Sequence, residues 1–354
     1  MLKLVNDWYR RHFTDPQVAI LALLLVLGAS ILYAIGDVLT PLLAAIIIAY
    51  LLDGAVSMLK KYKVPRLVAI LSTFSVFIIL LLIVLFILAP LLFRQATQFV
   101  LEIPKMFAQG QTLLMQLPEK YPNIISEQQV SELLIGIRTQ ITDFSQLVVS
   151  FSLSSVSDLL TFMVYLVVVP LLIFFFLKDK EIIINWFKAF LPTDRSLVSQ
   201  VWHEMNGKIA GYVRGKFAEI VVVWVITYVT FMVFNLNYAM LLSFAVGISV
   251  LIPYVGAALV TIPVAIVAYF QWGYTTETLY VIIAYGIIQF LDGNLLVPLL
   301  FSEMVNLHPA AIITAVLLFG GLWGVWGVFF AIPLATLIHA IINSWPRAQK
   351  ELEE

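Results

Sequence analysis

The segment Gln289–Pro309, QFLDGNLLVPLLFSEMVNLHP, sets carboxylates, amides and a histidine between long uncharged apolar runs. Gln289 lies three residues before Asp292, so on a helix the two share a face. Asn294 lies two residues after Asp292, about 200° round an ideal helix, and joins that face only if Gly293 breaks it. Pro298 has no N–H and frees the Asn294 carbonyl four residues back. A carboxylate, an amide and bare carbonyl oxygens suit a hard cation, a proton or a polyhydroxylated solute. A charge at the centre of a bilayer costs about 2.5–3.5 kcal/mol or more, so Asp292 must face protein or water, or carry a proton. The plainer alternative is a hydrogen-bonded patch between helices with no transport chemistry. Glu303, Asn306 and His308 are expected just past the span, with His308 before Pro309 in a helix-starting role. Asp53, Arg94 and Glu219 are read as caps or anchors at span ends.

The elements that must hold this cluster are membrane helices. Of 354 residues, 62% are hydrophobic and 12% charged. That is more apolar surface than a protein core can bury, so lipid is the expected solvent. The net charge of −1 argues against nucleic acid, and the absence of Cys excludes disulfides and thiolate chemistry. About 20 helical residues cross a bilayer. Uncharged spans are expected over Val18–Gly36 and Val38–Leu52, with a turn at Gly36-Asp37, then over Leu67–Phe93 and Leu159–Leu177. The basic loop LKKYKVPR, with Arg10 and Arg11, places the N-terminus and this loop in the cytoplasm. The polar stretch from Arg94 is then outside. It carries Val130, Leu134, Ile137, Ile141, Phe144 and Val148 at alternating four and three spacing. That is a heptad seam, packed on its own protomer or between subunits.

The C-terminal uncharged runs are too long for one span each and are interrupted by Pro and Gly. Pro253 and Gly256 flank Tyr254 in the first run; Gly320, Gly321 and Trp323 mark the second. Broken helices survive in lipid only where protein or a watery cavity covers them. Val255–Ala265 aligns with Val325–Ala335, and one crossing helix lies between. Two re-entrant hairpins on opposite membrane sides are the pattern of a transporter's binding site. The expected pathway is therefore Asp292, Gln289, Asn294 and Pro298 with Pro253, Tyr254, Gly256, Gly320, Gly321 and Trp323.

The fold expected is an all-α polytopic membrane protein of about eight transmembrane elements, two of them broken hairpins. Its parts are 1–93, the first three helices; 94–157, a periplasmic amphipathic helical region; 158–177, the fourth span; 178–211, cytoplasmic amphipathic helices; 212–346, the core with both hairpins; and 347–354, a cytoplasmic tail. No zinc-protease, nucleotide-binding or serine-nucleophile motif is found, so no enzyme and no cofactor is expected, and transport would be passive or ion-driven.

D-G-N-x-x-x-P at Asp292–Pro298, V-N-L-H-P at Val305–Pro309, G-G-x-W-G-x-W-G at Gly320–Gly327 and A-I-P-x-A at Ala331–Ala335 occur together. So do FFFLKDKE at Phe174–Glu181, IPYVGA at Ile252–Ala257 and W-Y-R-R at Trp8–Arg11. In these the chain resembles the autoinducer-2 exporter family, in its PerM permease branch, over essentially its whole length. The resemblance implies a bacterial inner-membrane permease, multi-pass, with both termini cytoplasmic. It implies a homo-oligomer, a pentamer by family expectation. It also implies export of a small hydrophilic solute such as autoinducer-2, or exchange of Na⁺ or Li⁺ for H⁺. A non-transporting membrane scaffold is the third reading.

Overall fold

The computed structural model of the chain describes residues 16–116, 156–189, 196–253, 255–301 and 308–344, with a few single positions between 118 and 136. Among the described residues there is no strand, and seven helices are long and apolar enough to cross a membrane, with one shorter apolar helix beside them. The all-α polytopic class follows.

Helix α1 (Pro16–Lys61) runs unbroken for 46 residues, about 69 Å at 1.5 Å per residue. The reversal expected at Gly36-Asp37 does not occur. Gly36 and Pro41 cost such a helix about 1 and 3 kcal/mol. A reversal inside lipid would instead bare several carbonyls at several kcal/mol each. Pro16 and Lys61 therefore stand at opposite ends of one rod.

A short turn leads into α2 (Arg66–Ile83), a π-helical turn (Val84–Leu88) and α3 (Ala89–Met115), which form one continuous rod. It carries the chain past Arg94 and beyond the expected end of the third span. The heptad positions from 137 onward lie outside the described residues; Val130 and Leu134 are buried. Helix α4 (Val156–Lys178) packs against α1 through Ala45, Ala49, Ile173 and Leu177. Two ion pairs lock the corner at its end: Lys180 Nζ to Asp53 Oδ2 and Arg66 to Glu181, each 2.9 Å. Helix α5 (Lys180–Ala189) follows with Ile182, Trp186 and Phe187 exposed among its lysines, the pattern of a helix lying in the interface.

Helix α6 (Ser196–Val233) is a single 38-residue rod, so the boundary expected at 211/212 falls inside it. It leads to α7 (Ala239–Ser249), a break, and α8 (Val255–Trp272). The ends of this hairpin are tied together: Gln271 Nε2 donates to the Asn235 carbonyl at 2.8 Å, and the Asn237 N–H donates to Gln271 Oε1 at 2.7 Å. The chain thus re-enters from the end where α6 stops and returns to that same end. At the tip, a Cβ on Gly256 would stand 1.8 Å from the Ser249 carbonyl oxygen. A straight helix would hold those positions about 10.5 Å apart.

Helix α9 (Thr276–Leu291), a π turn (Asp292–Leu296) and α10 (Val297–Phe301) then cross to the opposite end. There α11 (Pro309–Ser344) begins. It folds back at Gly324, whose φ of 58° and ψ of −134° lie outside the helical region. Beyond the kink, a Cβ on Gly327 would stand 1.8 Å from the Phe319 carbonyl oxygen. Ile312 before the kink and Ile332 after it meet the same cluster around Tyr212 and Phe301. The second hairpin therefore enters and leaves from the end opposite the first. His308 starts it, as its place before Pro309 implied: its Nδ1 accepts from the Ala310 N–H at 3.2 Å.

Candidate functional site

Helix α6 is the hub, packing against α1, α7, α9, α10 and α11. Its inward stripe reads Tyr212, Lys216, Glu219, Val223, Thr227 and Phe231, all buried. The spacing of three and four keeps these on one face. Lys216 Nζ lies 2.7 Å from Glu219 Oε2, both side chains nearly inaccessible at 5% and 2%. The amine also donates to the Val250 carbonyl at 3.0 Å, and sits 5.3 Å from the centre of the Phe301 ring. Burying two charges in this way costs several kcal/mol in desolvation, which only close pairing and further hydrogen bonds offset.

Asp292 faces this pair. Helices α6 and α9–α10 run antiparallel: Phe231 meets Tyr285 at one end, and Gly215 meets Phe301 at the other. Asp292 falls between those contacts, near enough to Lys216 and to Glu219 to interact electrostatically with both. Its Oδ1 is sealed from solvent with no hydrogen-bond partner, and so is Gln289 Nε2, one helical turn away. Thr227 Oγ1 on α6 is likewise buried and unpaired. Buried polar groups are nearly always paired, so a cluster of open ones is unusual. Here a carboxylate oxygen, an amide and a hydroxyl on facing helices lack protein partners.

The π turn begins at Asp292, whose carbonyl accepts from the Val297 N–H five residues on. Pro298 offers no N–H to the turn before it, and Gly293 carries no side chain to resist the wider coil. The helix widens here instead of breaking, so Asn294 does not come round to Asp292. It is exposed, and its Nδ2 donates to the Phe290 carbonyl of its own helix at 2.9 Å.

The remaining expected residues divide. Pro253 lies in the first tip, half-buried, and Gly256 is the point of closest approach there. Tyr254 lies outside the described residues. In the second hairpin the kink is Gly324. Gly320 lies beside it, where a Cβ would come 2.8 Å from Val328, whereas Gly321 faces open space. Trp323 stacks on Phe319 at 5.7 Å, with its Nε1 buried and unpaired. Tyr212 OH donates to the Phe329 carbonyl at 3.2 Å, so both hairpins touch α6 one turn apart.

Glu219, read as an anchor at a span end, was missed as part of the site, and so was Lys216. Their three-residue spacing, facing the next run's polar cluster, was the available signal. At the other end of the molecule Gln95, Gln98, Glu102, Asn237 and Tyr238 line an open recess of about 490 Å³. Tyr238 sits there at a φ of 57°, and burial, with a hydrogen bond to Glu102, pushes its phenol up to about 12.

The sequence profile described as the AI-2E family transporter matches residues 20–347. A protein of Escherichia coli K12 provisionally named permease PerM is 46% identical over 349 residues, covering 99% of each chain. A Bacillus subtilis protein provisionally named transport protein YueF is 26% identical over 343 residues, covering 93% of this chain and 92% of its own. A second from that organism, YrrI, is 26% identical over 318 residues, covering 90% and 89%.

Proposed function

The chain belongs to the AI-2E transporter family, and from that premise we propose that it is a secondary transporter exporting a small hydrophilic solute of the autoinducer-2 kind. It is a multi-pass membrane permease; the solute and the route are the proposal. The route runs through the polar seam between α6 and α9, closed from either end by one hairpin. The observation that carries it is the set of buried, unpartnered polar atoms at Asp292, Gln289 and Thr227. A hydroxylated solute would satisfy these groups as it passes. Pro298 serves the π turn that aims Asp292 inward, and Pro253, Gly256, Gly320 and Trp323 serve the tips. Lys60, Lys61, Arg66, Lys178 and Lys180 share one end of the molecule, and by the positive-inside rule this supports a cytoplasmic placement of that end. The C-terminal arm of α11 returns to it. The bacterial relatives support a place in the inner membrane.

Efflux of labelled autoinducer-2 from proteoliposomes tests the reading, wild type against Asp292→Asn. Loss of efflux supports it, and equal rates remove Asp292 from the mechanism.

One observation favours a second reading, exchange of a monovalent cation for a proton. Glu219 supplies a second acid near Asp292, and two acids against one lysine leave a net negative site. A pH-sensitive dye in everted vesicles should then respond to added Na⁺ or Li⁺, and the response should vanish in Glu219→Gln. No response in vesicles active for solute efflux would exclude it.

A further inference from the structure

Helix α7 ends inside the molecule, and helix ends leave carbonyls without intrahelical donors. At this end the Val250 carbonyl accepts from Lys216 Nζ at 3.0 Å. The donor is not local: it comes from the middle of α6, from a side chain that is itself buried. The same amine holds Glu219 at 2.7 Å and lies over Phe301, the last residue of α10. One cation therefore joins the hub helix, the first hairpin tip and the end of the crossing helix that carries Asp292.

We infer that Lys216 is a latch: its bond to the Val250 carbonyl holds the tip of the first hairpin shut, and charge arriving at Glu219 and Asp292 draws the amine away and frees the tip. Four features support this. The tip turn is short and its inner hydrogen bonds are local, Leu251 to Ile248 and Ile252 to Ser249. Among the described residues, Lys216 is the charged group that ties it to another helix. A lysine is a point charge on a flexible stem, able to move between acceptors without breaking a bidentate fork. Asp292, within electrostatic range of Lys216, adds a second negative charge that pulls on the same amine. A solute or cation occupying the acids would change how many of these acceptors compete for one amine. Lys216 is thus a positioning residue, acting on the path through the tip.

The latch rests on reading this seam as the transport path, but its test does not. The chain has no Cys, so Ile252→Cys places a single thiol on the tip. The rate of its reaction with N-ethylmaleimide reports how often the tip opens. The reaction is followed with natural Lys216, with Glu219→Gln, and with Lys216→Met combined with Glu219→Gln. The double change removes the amine without stranding a buried carboxylate. We expect labelling to accelerate about tenfold or more in the double variant, the range set by losing one charge-assisted hydrogen bond. We expect Glu219→Gln alone to stay within about twofold of the parent, because the bond to Val250 survives. Lys216→Arg, which keeps a donor, should restore slow labelling. Equal rates in parent and double variant overturn the latch, as does Glu219→Gln labelling as fast as the double variant. If the double variant is not recovered from membranes, Lys216→Leu combined with Glu219→Met removes both groups and gives the same comparison. Efflux through Asp292→Asn is measured on the same preparations. Unchanged labelling with Asp292-dependent efflux sinks the latch and leaves the path. Accelerated labelling with Asp292-independent efflux does the reverse.

Discussion

At the scale of the residue, burial decides which polar side chains matter. Lys216 and Glu219 are deeper than Asn294, although Asn294 sits in the more conspicuous motif. Removing one member of the pair, as in Glu219→Ala, leaves a buried charge and should cost about 3–5 kcal/mol, seen as a large fall in the thermal midpoint in detergent. Asn294→Ala loses a bond to its own helix on an exposed face, so stability should change by about 0.5 kcal/mol or less and solute efflux should persist. Tyr238 gives a pH marker. Its folded value lies above that of a free phenol, so its contribution to stability is complete below about pH 10. That contribution fades as the pH rises through the folded value of about 12. Tyrosinate absorbance of wild type minus Tyr238→Phe should show this late titration, and a midpoint near 10 would contradict it.

At the scale of the element, two hairpins are folded by the same device, a helix returning so closely that a backbone carbonyl occupies the place of a Cβ. Gly256→Ala and Gly327→Ala must each move a carbonyl that would otherwise stand 1.8 Å from the new methyl. Both variants should therefore fail to reach the membrane as folded protein, judged by yield and a monodisperse elution profile. Gly321→Ala meets nothing within 4 Å and should behave as wild type. The weak repeat between Val255–Ala265 and Val325–Ala335 marked both returning arms correctly. It could not locate the second turn, because Gly320, Gly321, Gly324 and Gly327 are equivalent in a one-dimensional pattern. Only the backbone angles of Gly324 and the open space at Gly321 separate them. The reversal expected at Gly36-Asp37 failed for a related reason. A glycine beside an aspartate can end a helix, but here the apolar residues on either side favour continuing it.

At the scale of the whole molecule, the hairpins enter from opposite ends and converge on α6. Sidedness is measurable with an impermeant maleimide on single-cysteine variants. Tyr274→Cys, at a residue 99% exposed beyond the first hairpin, should label from outside intact cells, and Met58→Cys, 60% exposed near the basic loop, only after the membrane is opened. The opposite pattern would invert the molecule and the direction of transport assigned to it. Apolar side chains remain exposed along α2 and the π turn after it, Val76, Ile79 and Phe86 among them. Lipid or the neighbouring copies of a homo-oligomer would cover them, and native mass spectrometry of the detergent-solubilised protein would count the copies.

Composition, the length of the uncharged runs and the scattered Pro and Gly were enough to establish a polytopic α-helical protein with two broken segments, because lipid leaves the backbone few alternatives. They were enough, too, to single out Asp292, since an acid within an apolar run is costly wherever it points. What faces it could not be read along the chain. Lys216 and Glu219 lie some seventy-six and seventy-three positions away (292 − 216 and 292 − 219), and their nearness follows from α6 and α9 packing antiparallel. That packing depends on which stripes of two similar apolar helices fit together, and sequence periodicity does not specify a partner.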